Sequence, residues 1–420
     1  MQISADWLDD AANAAPEERA TVADVRITVG NQNVTLHLYE NSVSDHVTIA
    51  LYGLAHGIAH DWWTIFGSRD NDSSLLKYRG GFVLPDIRVR FDGAAFEVEA
   101  AQRNYQNPGV RFWGGFSEVM SREEGEATLS DIVERVLARL EHAGLAGNSA
   151  ALRWQRVEKS RISPEASFCE AAGGLGIDPY QIDEAGAEFI ERAEQLFERE
   201  ALVEFTSGAT AVEKTRLIQW VERMLNYRGS QYRLANLEGA VKQAAEKAPY
   251  KLGEKSWAIG YRRARAMRSV LNLAQADRFS SFRKLADKLG ASRSYNVAPQ
   301  VDGLRALRSE RANGIQVHLR NHGDSAEAKS AHLFAMARAI GDAACFPHTS
   351  LAPVNDLHNA VRQAAGRAFA AEFLAPIDEI RSMRDEKHDL VTIADEFSVS
   401  TAVIERQLEN EQRIHSACSS

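Results

Sequence analysis

At 420 residues the chain is longer than a single hydrophobic core usually grows, so two or three domains are expected. Apolar residues make up 45% and charged residues 25%, and the formal net charge of −9 disfavours general attraction to nucleic acid or anionic membrane, though a local basic patch could still serve either. Cys169, Cys345 and Cys418 lie far apart in no CxxC pair, which argues against a disulfide scaffold or a thiolate zinc site and fits a reducing cytoplasm.

The opening stretch MQISADWLDDAANAAPEERA has no basic region followed by an apolar core, so no secretory signal is expected there. No apolar run approaches membrane-spanning length, and a soluble cytoplasmic protein is expected. From Val22 to about Met120 the pattern is strand-like: VRITVG, NVTLHLY, DIRVRFDG, AFEVEA and VRFWGGFSEV cluster or alternate β-branched and aromatic residues between turns. The stretch VTIALYGLAHGIAHDWWTIFG interrupts them with helical spacing and carries Trp62 and Trp63. LSDIVERVLARLEHAGL reads as a closing helix, with Ser130 or Asp131 as cap and Gly144 beyond its end.

Residues 150–247 are helical by pattern. ASFCEAAGGLGIDPYQI predicts a short helix, a glycine turn and a new helix near Asp178 and Pro179; EAGAEFIERAEQLFEREALVEF and AVEKTRLIQWVERMLNY follow with apolar residues three and four apart. The last region opens with the basic helices SWAIGYRRARAMRSVLNL and SSFRKLADKLG; between Lys251 and Arg293 basic residues outnumber acidic ones by roughly four to one. GIQVHL should be a strand, and three helical stretches, broken at Pro376, should complete the chain. The expected class is α+β: a strand-rich domain over 1–148, a helical middle over 149–249, and a mainly helical domain with a small sheet over 250–420.

The segment FAMARAIGD, on the helix that follows GIQVHL, is laid out like the active-site helix of a zinc peptidase. With the later RQAAGRAFAAEFLAP and the tail VTIADEFSVSTAVIERQLEN, it resembles the ImmA/IrrE family of zinc-dependent metallo-endopeptidases. In that family the metal helix reads like FTLAHELGH, a second helix of the form ExxANxFAxxLLMP supplies the third ligand, and the tail carries a phrase like LAxxFxVS. Phe334, Ala335, Met336, Ala337 and Gly341 match the first motif, Phe369, Ala370, Glu372, Leu374 and Pro376 the second, and Phe397, Val399 and Ser400 the tail. The polar signature departs from the pattern. Arg338 replaces the first histidine, Ala339 the catalytic glutamate and Asp342 the second histidine, while Gln363 falls at the third ligand. A catalytic zinc needs about three protein ligands and a water, and this set offers Asp342 alone, so no zinc or other cofactor is expected. The one-turn spacing of Arg338 and Asp342 suits an i,i+4 ion pair.

The resemblance, which spans 250–420, implies a bacterial regulatory protein of stress response or mobile-element control. It would be a pseudo-peptidase binding a protein partner, a helix-turn-helix regulator among the candidates. A peptide added along GIQVHL would place Gln316 and His318 beside Arg338 and Asp342 as partner-binding residues. An alternative is a metallo-endopeptidase with unconventional ligands such as His332, Asp342 and His358. A third is a nucleic-acid-binding regulator using Arg262, Arg263, Arg265 and Arg268, which cover much of the circumference of their helix.

Other candidates are weaker by their chemistry. His56 and His60 have zinc spacing on a helix, but Gly57 stands where a general base belongs, and a polar or boundary helix face explains both imidazoles. Asp86 and Glu97 on successive strands resemble a PD-(D/E)xK nuclease, but Glu99 replaces the required lysine and a hairpin with outward acids accounts for the letters. GGLGID follows a helix and reads as a cap and turn rather than a phosphate loop. In the tail, Ser398 or Ser400 should cap the second helix of a helix-turn-helix outline. The leading residues Thr401, Ala402, Val403 and Glu405 suit packing better than DNA reading.

Overall fold

Strand Val22–Val29 alternates strictly enough to bury Ala23, Val25, Ile27 and Val29 on one face, and it pairs antiparallel with Gln2–Trp7, Gln32–Asn33 and Val47–Ala50. The computed structural model describes the chain apart from residues 9–13, 70–72, 107–108, 252–253, 312–313 and 419–420, with side chains described through 410. Helices and several small antiparallel sheets combine in an α+β architecture, and two compact units, Met1–Gly186 and Ala187–Ser420, divide it. Helices read as one middle region are shared between these units.

In the first unit a hairpin of Asp86–Phe91 and Phe96–Ala101 carries Phe116–Met120 on its outer side. Helix Tyr52–Gly67 packs Trp62, Trp63 and Phe66 into the core, where Trp154 of helix Ser149–Arg161 meets Trp62 edge-on at 5.1 Å. A Cβ on Gly173 would collide with the Trp63 carbonyl, so helix Ala166–Gly174 crosses there at backbone distance.

Several boundaries differ from the sequence expectation. Val47–Ala50 is a strand, because Val47 and Ile49 follow the two-residue period of the sheet, and the helix begins at Tyr52. The closing helix starts at Arg122, not near Ser130: Ser121 and Glu124 form a reciprocal capping box, while Gly144 does lie just past the end with φ +77°. No helix starts near Asp178, whose carboxylate accepts the Tyr180 N–H at 3.1 Å and pairs with Arg153 at 2.9 Å; the next helix is Glu184–Glu194. The segment expected as one helix after it divides, with Arg199–Ser207 as its second part.

In the second unit, Ala306–Arg311 is the central strand between Gly314–Leu319 and Leu351–Val354, all antiparallel. Helix Ala326–Cys345 starts at a Ser325 cap whose hydroxyl accepts the Ala328 N–H at 3.1 Å. Helix Val361–Leu374 ends before Pro376, as a residue preceding proline favours. The chain after Pro376 forms three helices, Ile377–Asp385, Leu390–Phe397 and Thr401–Cys418, more than the sequence pattern separated. Ser398 is the left-handed C-cap of the second of these, with φ 54°, rather than an N-cap of the third. No helix among the described residues is long and apolar enough to cross a membrane.

Candidate functional site

Two glycines set the frame. A Cβ on Gly341 would lie 2.6 Å from the Phe369 Cβ, so helices 326–345 and 361–374 meet closely at that point. On the other side of helix 361–374, Gly260 of helix Ser256–Val270 faces the Ala365 carbonyl with no room for a side chain. The apolar frame of both motifs is thus a packing requirement.

Between the two helices and the sheet lies a cluster of buried polar side chains in two halves. In one, Asp342 is 3% exposed and accepts from Arg308 Nε and Arg362 Nη2, each at 2.7 Å on a different oxygen. Arg308 and Arg362 also donate to the carbonyl and the hydroxyl of Thr349, each at 2.7 Å. In the other half, Arg338 donates to the Gln363 Oε1 at 2.8 Å and to the Asn355 carbonyl. The Gln363 amide then donates to Glu204 Oε2 and the Pro353 carbonyl, each at 2.8 Å, and Asn355 Nδ2 reaches the Glu204 carbonyl at 2.9 Å.

The expected Arg338–Asp342 pair does not form. Both residues are buried, and a buried charge needs several directed partners, which neighbouring elements supply better than the next helical turn. Asp342 is held by the strand and the second helix, whereas Arg338 turns to the loop after Leu351–Val354, with Asp356 at 3.7 Å. Burial, followed by the nearby Arg367, lowers the Arg338 guanidinium to about 9, so it stays charged near neutrality. Burial alone would lower Arg362, but the carboxylates of Asp342 and Glu204 raise it on balance.

These residues do not fit a zinc ion. Each Asp342 oxygen is already engaged by a fixed guanidinium, Arg338 places a third cation one turn before it, and Gln363 Oε1 faces that cation. Ala339, which follows Arg338, is fully buried in the apolar core and carries no proton acceptor. Among the described residues no three His, Cys, Asp or Glu side chains converge to hold a metal. The alternative ligand set is likewise not assembled: His332 accepts the His322 N–H at 3.0 Å and packs on Phe282, while His358 is exposed.

Gln316 and His318 are buried in Gly314–Leu319, and the outer edge of that strand is occupied. The carbonyls of Ile315, Val317 and Leu319 accept from the Leu234 N–H at 3.0 Å, the Tyr295 hydroxyl at 2.9 Å and the Ala298 N–H at 2.6 Å. This corrects the expected strand addition, because the chain itself fills the edge a peptide would use. Burial lowers His318 to about 3; its ring lies 4.5 Å from Tyr232 and neither nitrogen has a partner.

The four arginines of helix 256–270 do not form a basic face. Arg262 pairs with Glu254 at 2.6 Å and Arg265 with Glu372 at 2.7 Å, while Arg268 is buried among backbone carbonyls, including Phe373 O at 2.7 Å. Arg263 is buried and has no hydrogen-bond partner at Nε or Nη1.

His56 is half-buried and His60 exposed; His60 binds Asp61 at 2.7 Å, and Asp61 also binds Lys77. Asp86 pairs with Arg88 at 3.0 Å, and Glu97 is paired with Arg90 near the opposite end of the hairpin, so the two acids do not share a site. Asp86 itself is buried rather than outward. The tail helix inserts Ile404 and Gln407 against the core, Gln407 reaching the Ala375 carbonyl at 3.1 Å.

Sequence reasoning missed Arg308, Glu204, Asn355 and Arg362. A usable signal existed for one: Arg362 directly precedes the glutamine already singled out. No family model, no curated protein and no solved structure matches this chain.

Proposed function

We propose that the second unit keeps the frame of an ImmA/IrrE-type peptidase whose metal centre has become a buried ion cluster, and that the chain is a regulatory protein that binds a protein partner without cutting it. The observation that supports this is the direct Arg338–Gln363 hydrogen bond at 2.8 Å, between two positions the resemblance assigns to metal ligands. An arginine there repels a dication and supplies no base for water activation. The partner class that the resemblance implies is a helix-turn-helix regulator. Because Arg338, Asp342, Gln316 and His318 are buried, the partner would meet the rim above them, where Asp356 and His358 are exposed.

Metal analysis by plasma mass spectrometry tests this reading. The purified protein should contain no near-stoichiometric zinc, and added zinc should not bring about cleavage of a helix-turn-helix regulator that it captures. Stoichiometric zinc lost in Asp342→Ala, with cleavage of the captured protein, would overturn it. Asp356→Ala combined with His358→Ala should reduce the capture.

A further inference from the structure

The one guanidinium of helix 256–270 without a partner opens onto a cavity. The cavity, about 460 Å³, lies within the second unit where helix Leu237–Lys247, the loop at Pro249 and Tyr250, the central hairpin and the end of helix 326–345 meet. That volume is in the range of small-molecule sites. Arg263 forms part of its wall and is only 5% exposed. Its Nε and Nη1 have no hydrogen-bond partner, and the carboxylates of Glu254 and Glu372 are paired with Arg262 and Arg265 instead.

Arg268, five residues later and equally buried, shows the ordinary solution, with its nitrogens donating to the carbonyls of Phe373, Ala274 and Gln275. Burying a cation without such partners is costly, and an apolar side chain of similar volume is commonly more stable. A guanidinium held this way is set to receive an oxyanion, which it binds with charge-assisted and often bidentate geometry. Val241, Ile315 and Pro347 supply apolar wall, and Lys242 and His348 stand exposed at the rim, neither engaged in an ion pair. Glu238 and Glu310 also line the cavity and disfavour a ligand that is anionic throughout.

We propose that this cavity binds a small molecule bearing a carboxylate or phosphate, seated on Arg263, with an amino or other donor group directed to Glu238 and Glu310. The cavity adjoins the Asp342 cluster: Glu310 in its wall pairs at 3.7 Å with Arg308, which also holds Asp342, and Ala343 follows Asp342 directly.

The test uses the full chain, with inorganic phosphate, adenosine monophosphate and L-glutamate as probes in thermal-shift and calorimetric titrations. At least one should stabilise the protein saturably: phosphate alone would mark a bare oxyanion subsite, the nucleotide a phosphate-bearing ligand with a donor group, and the amino acid a carboxylate ligand. Arg263→Met should abolish the probe-dependent shift while leaving the melting temperature without probe unchanged or higher. Lys242→Glu, at an exposed position, should weaken binding about tenfold with the fold intact, roughly one charge-assisted contact. In the wild type the Arg263 Nε–H resonance should move on titration. A saturable response to none of the three probes, or the same response in Arg263→Met, would overturn the assignment.

Discussion

Helix 52–67 and helix 326–345 each hold one ingredient of a metal centre without the other. The first has two imidazoles one turn apart, but His60 faces solvent and its neighbours are a carboxylate, a lysine and the other histidine. The second has a close helix crossing, a cap and a flanking sheet, but carries Arg338, Ala339 and Asp342 where metal chemistry would need imidazole and carboxylate. Ligand spacing without convergent elements does not make a centre, and convergent elements that carry guanidinium, carboxylate and amide hold an ion cluster. The consequences for stability also differ: side chains on the exposed face can be changed freely, while those in the buried cluster depend on one another.

Substitutions can break this contrast. Asp342→Ala leaves Arg308 and Arg362 buried without their shared carboxylate and should lower unfolding free energy by about 3–5 kcal/mol in urea titration. A loss below about 1 kcal/mol would mean that the cluster is hydrated rather than dry. Gly341→Ala should cost about 1–3 kcal/mol despite alanine's better helix propensity, because the added methyl meets the Phe369 Cβ. An unchanged midpoint would show that the crossing can relax.

Acid sharpens the contrast further. His318 is held far below its ordinary value, at about 3, chiefly by burial and then by Arg311. Its unfolded form gains a proton as pH falls below about 6.5 while the folded form does not, so stability drops through this window by about 2 kcal/mol at pH 5. His318→Phe should remove that part of the slope in unfolding curves at pH 7 and 5. The smallest effect belongs to the other helix: His56→Ala with His60→Ala should stay within about 0.5 kcal/mol of wild type at pH 7.

Part of the second unit was legible because strong local signals coincide there, whereas strands Ala306–Arg311 and Leu351–Val354 carry no clear alternation and were not read. GIQVHL and the stop before Pro376 each mark a boundary that the structure keeps. In the first unit Gln2–Trp7 escaped notice although Ile3 is buried, because its other inward positions are Ala5 and Trp7 beside acidic residues. The capping box at Ser121 and Glu124 was readable but was outweighed by the stronger apolar period farther on. The site was legible as positions and not as contacts. Spacing places Arg338 and Asp342 on one helix face, but their partners come from residues 308, 355, 362 and 363, whose approach is set by tertiary packing.

Glu372 joins three segments that are distant in sequence. It is 2% exposed and accepts from Arg265 at 2.7 Å, from the Ile377 N–H at 3.3 Å and from Gln407 at 3.3 Å. A single carboxylate thereby ties the helix before the sheet, the break at Pro376 and the tail helix into one opening unit. Amide protons in the protected parts of these three segments should exchange with one shared free energy and remain in step through mild denaturant. Glu372→Gln should release the tail first, giving it an earlier exchange phase of its own.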